Sequence, residues 1–133
     1  MKAKITSEIM TRPIISAREH ASARDVALQL ITGHYNGMSV TDDEGKLLEV
    51  IKEINILNAV NEGKKLVRTT ARNIMTPDMA RASPDAKIDD LIKILDEFQF
   101  IRLPIVKDDK LAGTVSRGDI LKGPSEPEFA THG

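Results

Sequence analysis

Ser116 and Asp119 are the residues best placed to do chemistry in this chain of 133. They stand in Gly113-Thr114-Val115-Ser116-Arg117-Gly118-Asp119-Ile120-Leu121, where a β-branched run leaves a glycine, ends at a serine and gives way to an apolar pair. That order predicts a strand running directly into a helix whose first turn carries a hydroxyl and a carboxylate. A helix N-terminus presents unpaired N–H groups and a partial positive charge, which suit a phosphate. An aspartate beside it can accept hydrogen bonds from two neighbouring ribose hydroxyls. A plainer account uses the same residues: Ser-x-x-Asp is a capping-box variant, in which both side chains only satisfy backbone N–H groups of the first turn. Local sequence leaves both readings open.

Other chemistry is sparse. The chain has no cysteine, which excludes disulfides, thiolate catalysis and cysteine-ligated metals. His20, His34 and His132 show no metal-ligand spacing. Asp42-Asp43-Glu44 and Asp108-Asp109 read as hairpin turns and lack the spacing of a calcium loop. Met10, Met38, Met75 and Met79 read as core filler. No nucleophile, base and orienting group fall into a set, so no enzyme is expected. With 19 basic and 20 acidic residues the net charge is −1, and aromatics are 3%, so nucleic acid finds neither a global field nor stacking platforms. The cluster Lys64, Lys65, Arg68 and Arg72 reads as a solvated linker between apolar segments rather than a phosphate-binding patch. Residues 1–5 lack a signal-peptide core and no run approaches a membrane span, so a cytoplasmic protein without membrane contact is expected.

The elements that position Ser116 and Asp119 occur twice. Ile9-Met10-Thr11 returns as Ile74-Met75-Thr76, 65 positions later. Each copy continues with a turn-rich segment, an amphipathic helix, a short strand, an acidic turn, a second strand and a second helix: an internal duplication. In the first copy Ser22 caps a helix to about Gly33 with Val26, Leu30 and Ile31 on one face. Strands Met38–Thr41 and Leu48–Ile51 flank a hairpin turn. A second helix starts near Glu53 with Ile54, Leu57 and Val60 at helical spacing and Gly63 as its stop. In the second copy Ser83-Pro84-Asp85 starts a helix, and Ile88, Leu91, Ile92 and Leu95 mark its buried face. Leu103–Val106 is a strand whose proline suggests an edge or a strand start. Repeats spanning 1–65 and 66–122 are expected, followed by a loose tail over 123–133. Neither copy can bury an adequate core alone, so the two α+β lobes should pack sheet to sheet about a pseudo-twofold axis, with two related clefts.

This pattern resembles a tandem pair of cystathionine-β-synthase (CBS) domains over roughly residues 5–122. The resemblance is carried by Ile9-Met10-Thr11, Ile74-Met75-Thr76, Ser83-Pro84-Asp85-Ala86, Arg102-Leu103-Pro104-Ile105-Val106 and Gly113–Leu121. It implies doubled β-α-β-β-α lobes, pairing again into a homodimer, that sense energy or metabolites and regulate a fused or separate protein partner. The ligand so implied is AMP, ADP, ATP or S-adenosylmethionine, with no cofactor required. On this resemblance Asp119 would hold the ribose diol and Ser116 would contact ribose or phosphate. The backbone around Met79, Ala80 and Arg81, just after Thr76, would meet the adenine edge. Leu103 and Pro104 would close the base site, with Arg102 and then Arg117 as phosphate donors. A module that dimerises and binds a protein partner without nucleotide is the alternative.

The first copy departs from the pattern where the chemistry would be. Its counterparts of Gly113, Ser116 and Asp119 are Glu49, Lys52 and Asn55. Asn55 lacks the charge-assisted acceptor strength of an aspartate, and Lys52 projects a long cation where the second copy has a hydroxyl. One competent cleft, in the second copy, and one degenerate cleft at Lys52 and Asn55 are expected. A variant in which Lys52 and Asn55 take a more anionic ligand also fits these residue types.

Overall fold

The computed structural model describes residues 5–12, 15–33, 35, 37–77, 80–98 and 102–123; for Phe98 this covers the backbone alone. The chain is α+β and divides into two compact units, one formed by residues 15–79 and the other by residues 1–14 together with 80–133. The units therefore differ from the sequence repeats at their heads: each gathers the strands of one repeat and the leading Ile-Met-Thr segment of the other. No helix among the described residues is long and apolar enough to cross a membrane.

In the unit of residues 15–79, β1 (Ser16–Arg18) runs parallel to β2 (Gly37–Thr41), which pairs antiparallel with β3 (Leu47–Lys52). Helix α1 (Ala23–Gly33) starts where Ser22 predicts, its Oγ accepting from Asp25 N at 3.1 Å. The turn between β2 and β3 is held by Asp42, whose Oδ1 accepts from Glu44 N and Lys46 N, both at 2.9 Å, while Gly45 supplies the left-handed φ of 88°. Helix α2 (Glu53–Asn61) ends in a Schellman motif: Lys64 N donates to Ala59 O and Gly63 N to Val60 O, with Gly63 left-handed at φ 82°. The short α3 (Ala71–Ile74) is capped by Thr70. The core is Ala17, Val26, Leu30, Met38, Val40, Ile51, Ile56 and Ala71.

Two helix faces of this unit differ from expectation. Ile31 is exposed although Val26 and Leu30 are buried, because one further residue turns the side chain about 100° round the axis. On α2 the buried residues are Ile56 and Ala59, whereas Ile54, Leu57 and Val60 are 54%, 61% and 53% exposed. That helix is apolar on both sides, so helical spacing could not say which stripe faces inward.

In the other unit, α4 (Ile88–Phe98) packs against the hairpin of β4 (Arg102–Lys107) and β5 (Lys110–Ser116), which leads straight into α5 (Arg117–Lys122). Ile88, Leu91 and Leu95 are buried as the periodicity predicts, while Ile92 lies outward. Helix α4 begins later than Ser83 suggests. Ser83 closes its own turn instead, its Oγ accepting from Asp85 N and its carbonyl from Ala86 N. The carbonyls of Pro84 and Ala86 in that turn accept from Ser7 N and Thr6 N, so residues 5–11 form a strap laid along this unit. Lys107 pairs with Lys110 across a two-residue turn in which Asp108 and Asp109 both have positive φ, as a type I′ turn requires. Pro104 lies within β4 rather than at its start. Its carbonyl accepts from Ala82 N, so its missing N–H falls on the side where β4 has only a single bridge, to Ala82. The tail predicted over 123–133 lies, from residue 124 on, outside the described residues.

Candidate functional site

Residues alternate in direction along β4 and β5, and the register sorts them into two faces. Leu103, Ile105 and Val115 point into the core and are fully buried with Ile88, Leu91 and Ile120. Arg102 and Pro104 stand opposite Ser116 and Thr114, so these four share the other face. The strap reaches the same place. Thr11 pairs antiparallel with Thr114, the two exchanging backbone hydrogen bonds of 2.8 and 3.3 Å. Gly113 favours the close approach, because a Cβ there would lie a tight 3.1 Å from the Thr11 carbonyl oxygen.

At the end of β5 the backbone turns into α5 through a complete capping box: Asp119 N donates to Ser116 Oγ at 3.1 Å and Ser116 N donates to Asp119 Oδ2 at 2.9 Å. The capping account of these residues is therefore realised. It does not use up the carboxylate. A third bond, from Thr11 Oγ1 at 3.2 Å, also falls on Oδ2. Among the described residues every hydrogen bond to the Asp119 carboxylate is to this one oxygen, and Asp119 is only half-buried.

The remaining predicted residues distribute as follows. Ala80 is buried in the core of this unit, and Arg117 is exposed at the first position of α5. Leu103 is wholly enclosed, so its side chain belongs to the core and only its backbone is available to a base. Pro104 is buried beside Thr114 in the ladder. Met79 lies outside the described residues. Thr76 sits in the unit of residues 15–79, where it bridges Val50, its N donating to Val50 O at 2.8 Å. The threonine that meets Asp119 is Thr11, the head of the first repeat. Both threonines are visible in the sequence as repeat heads, but which strand each joins is a long-range pairing, Thr11 with Thr114 and Thr76 with Val50, that no local pattern encodes.

The degenerate counterpart follows the same plan. Asn55 Oδ1 accepts from Lys52 N at 2.8 Å, as Asp119 Oδ2 does from Ser116 N. The backbone task of the aspartate is thus performed by an amide, and the negative charge is absent. Lys52 stands opposite Gly37, which occupies the place of Arg102, so the cation moves from one strand of the ladder to the other. Among the described residues no three His, Asp or Glu side chains could together hold a metal ion.

Comparison with known proteins gives this geometry a context. A protein sequence from Methanocaldococcus jannaschii, of uncharacterised role, is 27% identical over 135 residues, which cover 92% of this chain and 32% of that protein. The L-aspartate semialdehyde sulfurtransferase of the same organism is 29% identical over 125 residues, covering 92% of this chain and 24% of the enzyme. The chain thus spans a third or less of the length of these relatives. Among solved structures, the CBS domain pair of protein MJ0100, in complex with 5′-methylthioadenosine and S-adenosyl-L-methionine, is 27% identical with a TM-score of 0.74, covering 89% of this chain and 93% of that one. CBSX2 in complex with AMP is 26% identical with a TM-score of 0.78, covering 90% and 95%. The model of the CBS domain matches residues 6–62 and again residues 71–126, and with two matches over most of its length the chain belongs to the CBS domain family.

Proposed function

We propose that this chain is a non-catalytic regulatory module that binds an adenosine-containing ligand, AMP, ADP, ATP or S-adenosylmethionine, at the Ser116–Asp119 site of its second repeat. The observation that carries the proposal is the Asp119 carboxylate, anchored through Oδ2 at the helix start that follows Ser116, the residue Arg102 stands opposite in the ladder. A ribose presents two adjacent hydroxyls, and a fixed carboxylate accepts both with charge-assisted bonds. The complexes of two relatives with AMP and with S-adenosylmethionine and 5′-methylthioadenosine support this choice, since all of these carry that diol. Arg102, across the ladder from Ser116, and Arg117, at the start of α5, serve phosphates or a carboxylate.

Calorimetric titration of the purified chain with the four compounds tests the reading. Saturable heat from at least one of them is expected, and no heat from any, with a cooperatively folded sample, overturns it. A second reading is favoured by one observation, the exposed Ile54, Leu57 and Val60 on α2: a module that dimerises and engages a protein partner without nucleotide. It predicts self-association indifferent to adenosyl compounds.

A further inference from the structure

The Oδ2 atom of Asp119 has two lone-pair positions, and both are taken. Ser116 N holds one at 2.9 Å and the hydroxyl of Thr11 holds the other at 3.2 Å. The first bond fixes the start of α5. The second adds a side-chain bond at the end of a strap that is also held by the Thr11–Thr114 backbone pair and, further back, by bonds from Thr6 N and Thr6 Oγ1 to Ala86 O and from Ser7 N to Pro84 O. Thr6 is wholly buried, whereas Thr11 and Arg12 are exposed, so the end of the strap is the part a ligand can reach. There the Thr11 side chain engages one of the two carboxylate oxygens that a vicinal diol would bridge.

Resting on the ligand reading above, we propose that Thr11 is a latch: a diol that bridges Asp119 displaces the Thr11 hydroxyl from Oδ2 and leaves the end of the strap on its backbone pair with Thr114 alone, so that occupancy of the site loosens the strap at Thr11. Ser116 N keeps its bond, because breaking it would unmake the helix start. Thr11 therefore opposes binding in proportion to the hydrogen bond it must give up. Its release is the structural change that a regulated partner would sense. A ligand that takes Oδ1 alone would leave the latch closed.

The test compares wild type, Thr11→Val, Thr11→Ser and Asp119→Asn by calorimetry, using AMP and its 2′,3′-dideoxy analogue, together with hydrogen exchange of the strap. Valine keeps the shape of threonine without the hydroxyl. Thr11→Val is expected to bind AMP about three- to tenfold more tightly than wild type, the equivalent of about 0.7–1.4 kcal/mol. Thr11→Ser should behave as wild type, and the dideoxy analogue should bind wild type and Thr11→Val alike. AMP should speed amide exchange at Thr11 and Thr114 in wild type, the reverse of the protection that binding ordinarily brings. Equal or weaker AMP binding by Thr11→Val, or slower exchange of these amides on binding, overturns the latch. If Asp119→Asn loses affinity in that same experiment, the ligand site stands and the latch alone has failed. Absence of binding by wild type overturns both.

Discussion

Gly113 is pressed against Met10: a Cβ on Gly113 would stand 2.9 Å from Met10 Sδ, with the Thr11 carbonyl oxygen at 3.1 Å. Met10 can swing aside, but the carbonyl belongs to backbone held in the Thr11–Thr114 bridge, so a Cβ at 113 must shift the strap by a few tenths of an ångström and a larger side chain by more. Gly113→Val should therefore cost about 1–3 kcal/mol, the usual penalty of overpacking a tight contact. Gly118, in the first turn of α5, is the internal control. A Cβ there would meet only Ser116 Oγ, at an ordinary 3.7 Å, and Gly118→Ala should be neutral or stabilise by up to about 1 kcal/mol through the unfolded chain. Urea unfolding of the two variants checks the contrast, and equal midpoints would contradict it.

Asp119 carries two tasks that one substitution can separate. Asn55 shows that an amide accepts from the N-cap backbone as well as a carboxylate does, at 2.8 Å against 2.9 Å. Asp119→Asn should accordingly keep the bond from Ser116 N and lower stability by no more than about 1 kcal/mol, the usual contribution of a negative charge in the first turn of a helix. Binding of the preferred adenosyl compound should weaken by about 1.5–3 kcal/mol, because the lost bonds are to a charged acceptor. Thermal unfolding and calorimetry on the same sample read the two effects. A loss of stability with affinity intact would mean that Asp119 is a helix cap and nothing more.

The elements around Asp119 were legible because the repeat doubled every signal, and the misreadings have physical causes. Ser22 and Gly63 act as the cap and stop their types suggest. Apolar residues on both sides of α2 hid its inward stripe, and Ser83 spends its hydroxyl on a turn rather than on α4. Arg72, counted with a solvated basic linker, proves structural: its side chain pairs with Glu19, a buried carboxylate at the end of β1, and its backbone N donates to Glu19 O at 2.9 Å. The exchange of repeat heads was the least legible feature. Thr11 and Thr76 have the same local sequence, and only long-range pairing decides that Thr11 meets Asp119.

The turn between β4 and β5 holds two aspartates in the left-handed region, Asp108 at φ 52° and Asp109 at φ 67°. Each costs backbone energy that glycine does not, and the second position of a type I′ turn is the one glycine most often fills. Asp109→Gly should stabilise the chain by about 0.5–1 kcal/mol once the greater freedom of glycine in the unfolded state is subtracted. The midpoint of thermal unfolding should rise, with ligand affinity unchanged. A fall in the midpoint would show that the Asp109 side chain contributes a contact worth more than the strain.

The exposed stripe of α2 permits a test of self-association that does not touch the ligand site. Ile54, Leu57 and Val60 recur every three residues, running from the side opposite Ile56 and Ala59 round to its flank, and each is more than half exposed. Apolar side chains in a contiguous row gain about 25 cal/mol for every Å² removed from water, which makes this row the natural seat of the proposed homodimer. Leu57→Glu should leave the fold intact, because the side chain is 61% exposed and is not part of the core cluster, while placing a carboxylate in the centre of the row. Sedimentation velocity should show wild type as a dimer and Leu57→Glu as a monomer at the same concentration, with nearly unchanged circular dichroism. A dimer that survives the substitution would place the contact on another surface. A wild type that sediments as a monomer at every concentration would remove homodimerisation from the proposed function and leave the row to a different partner.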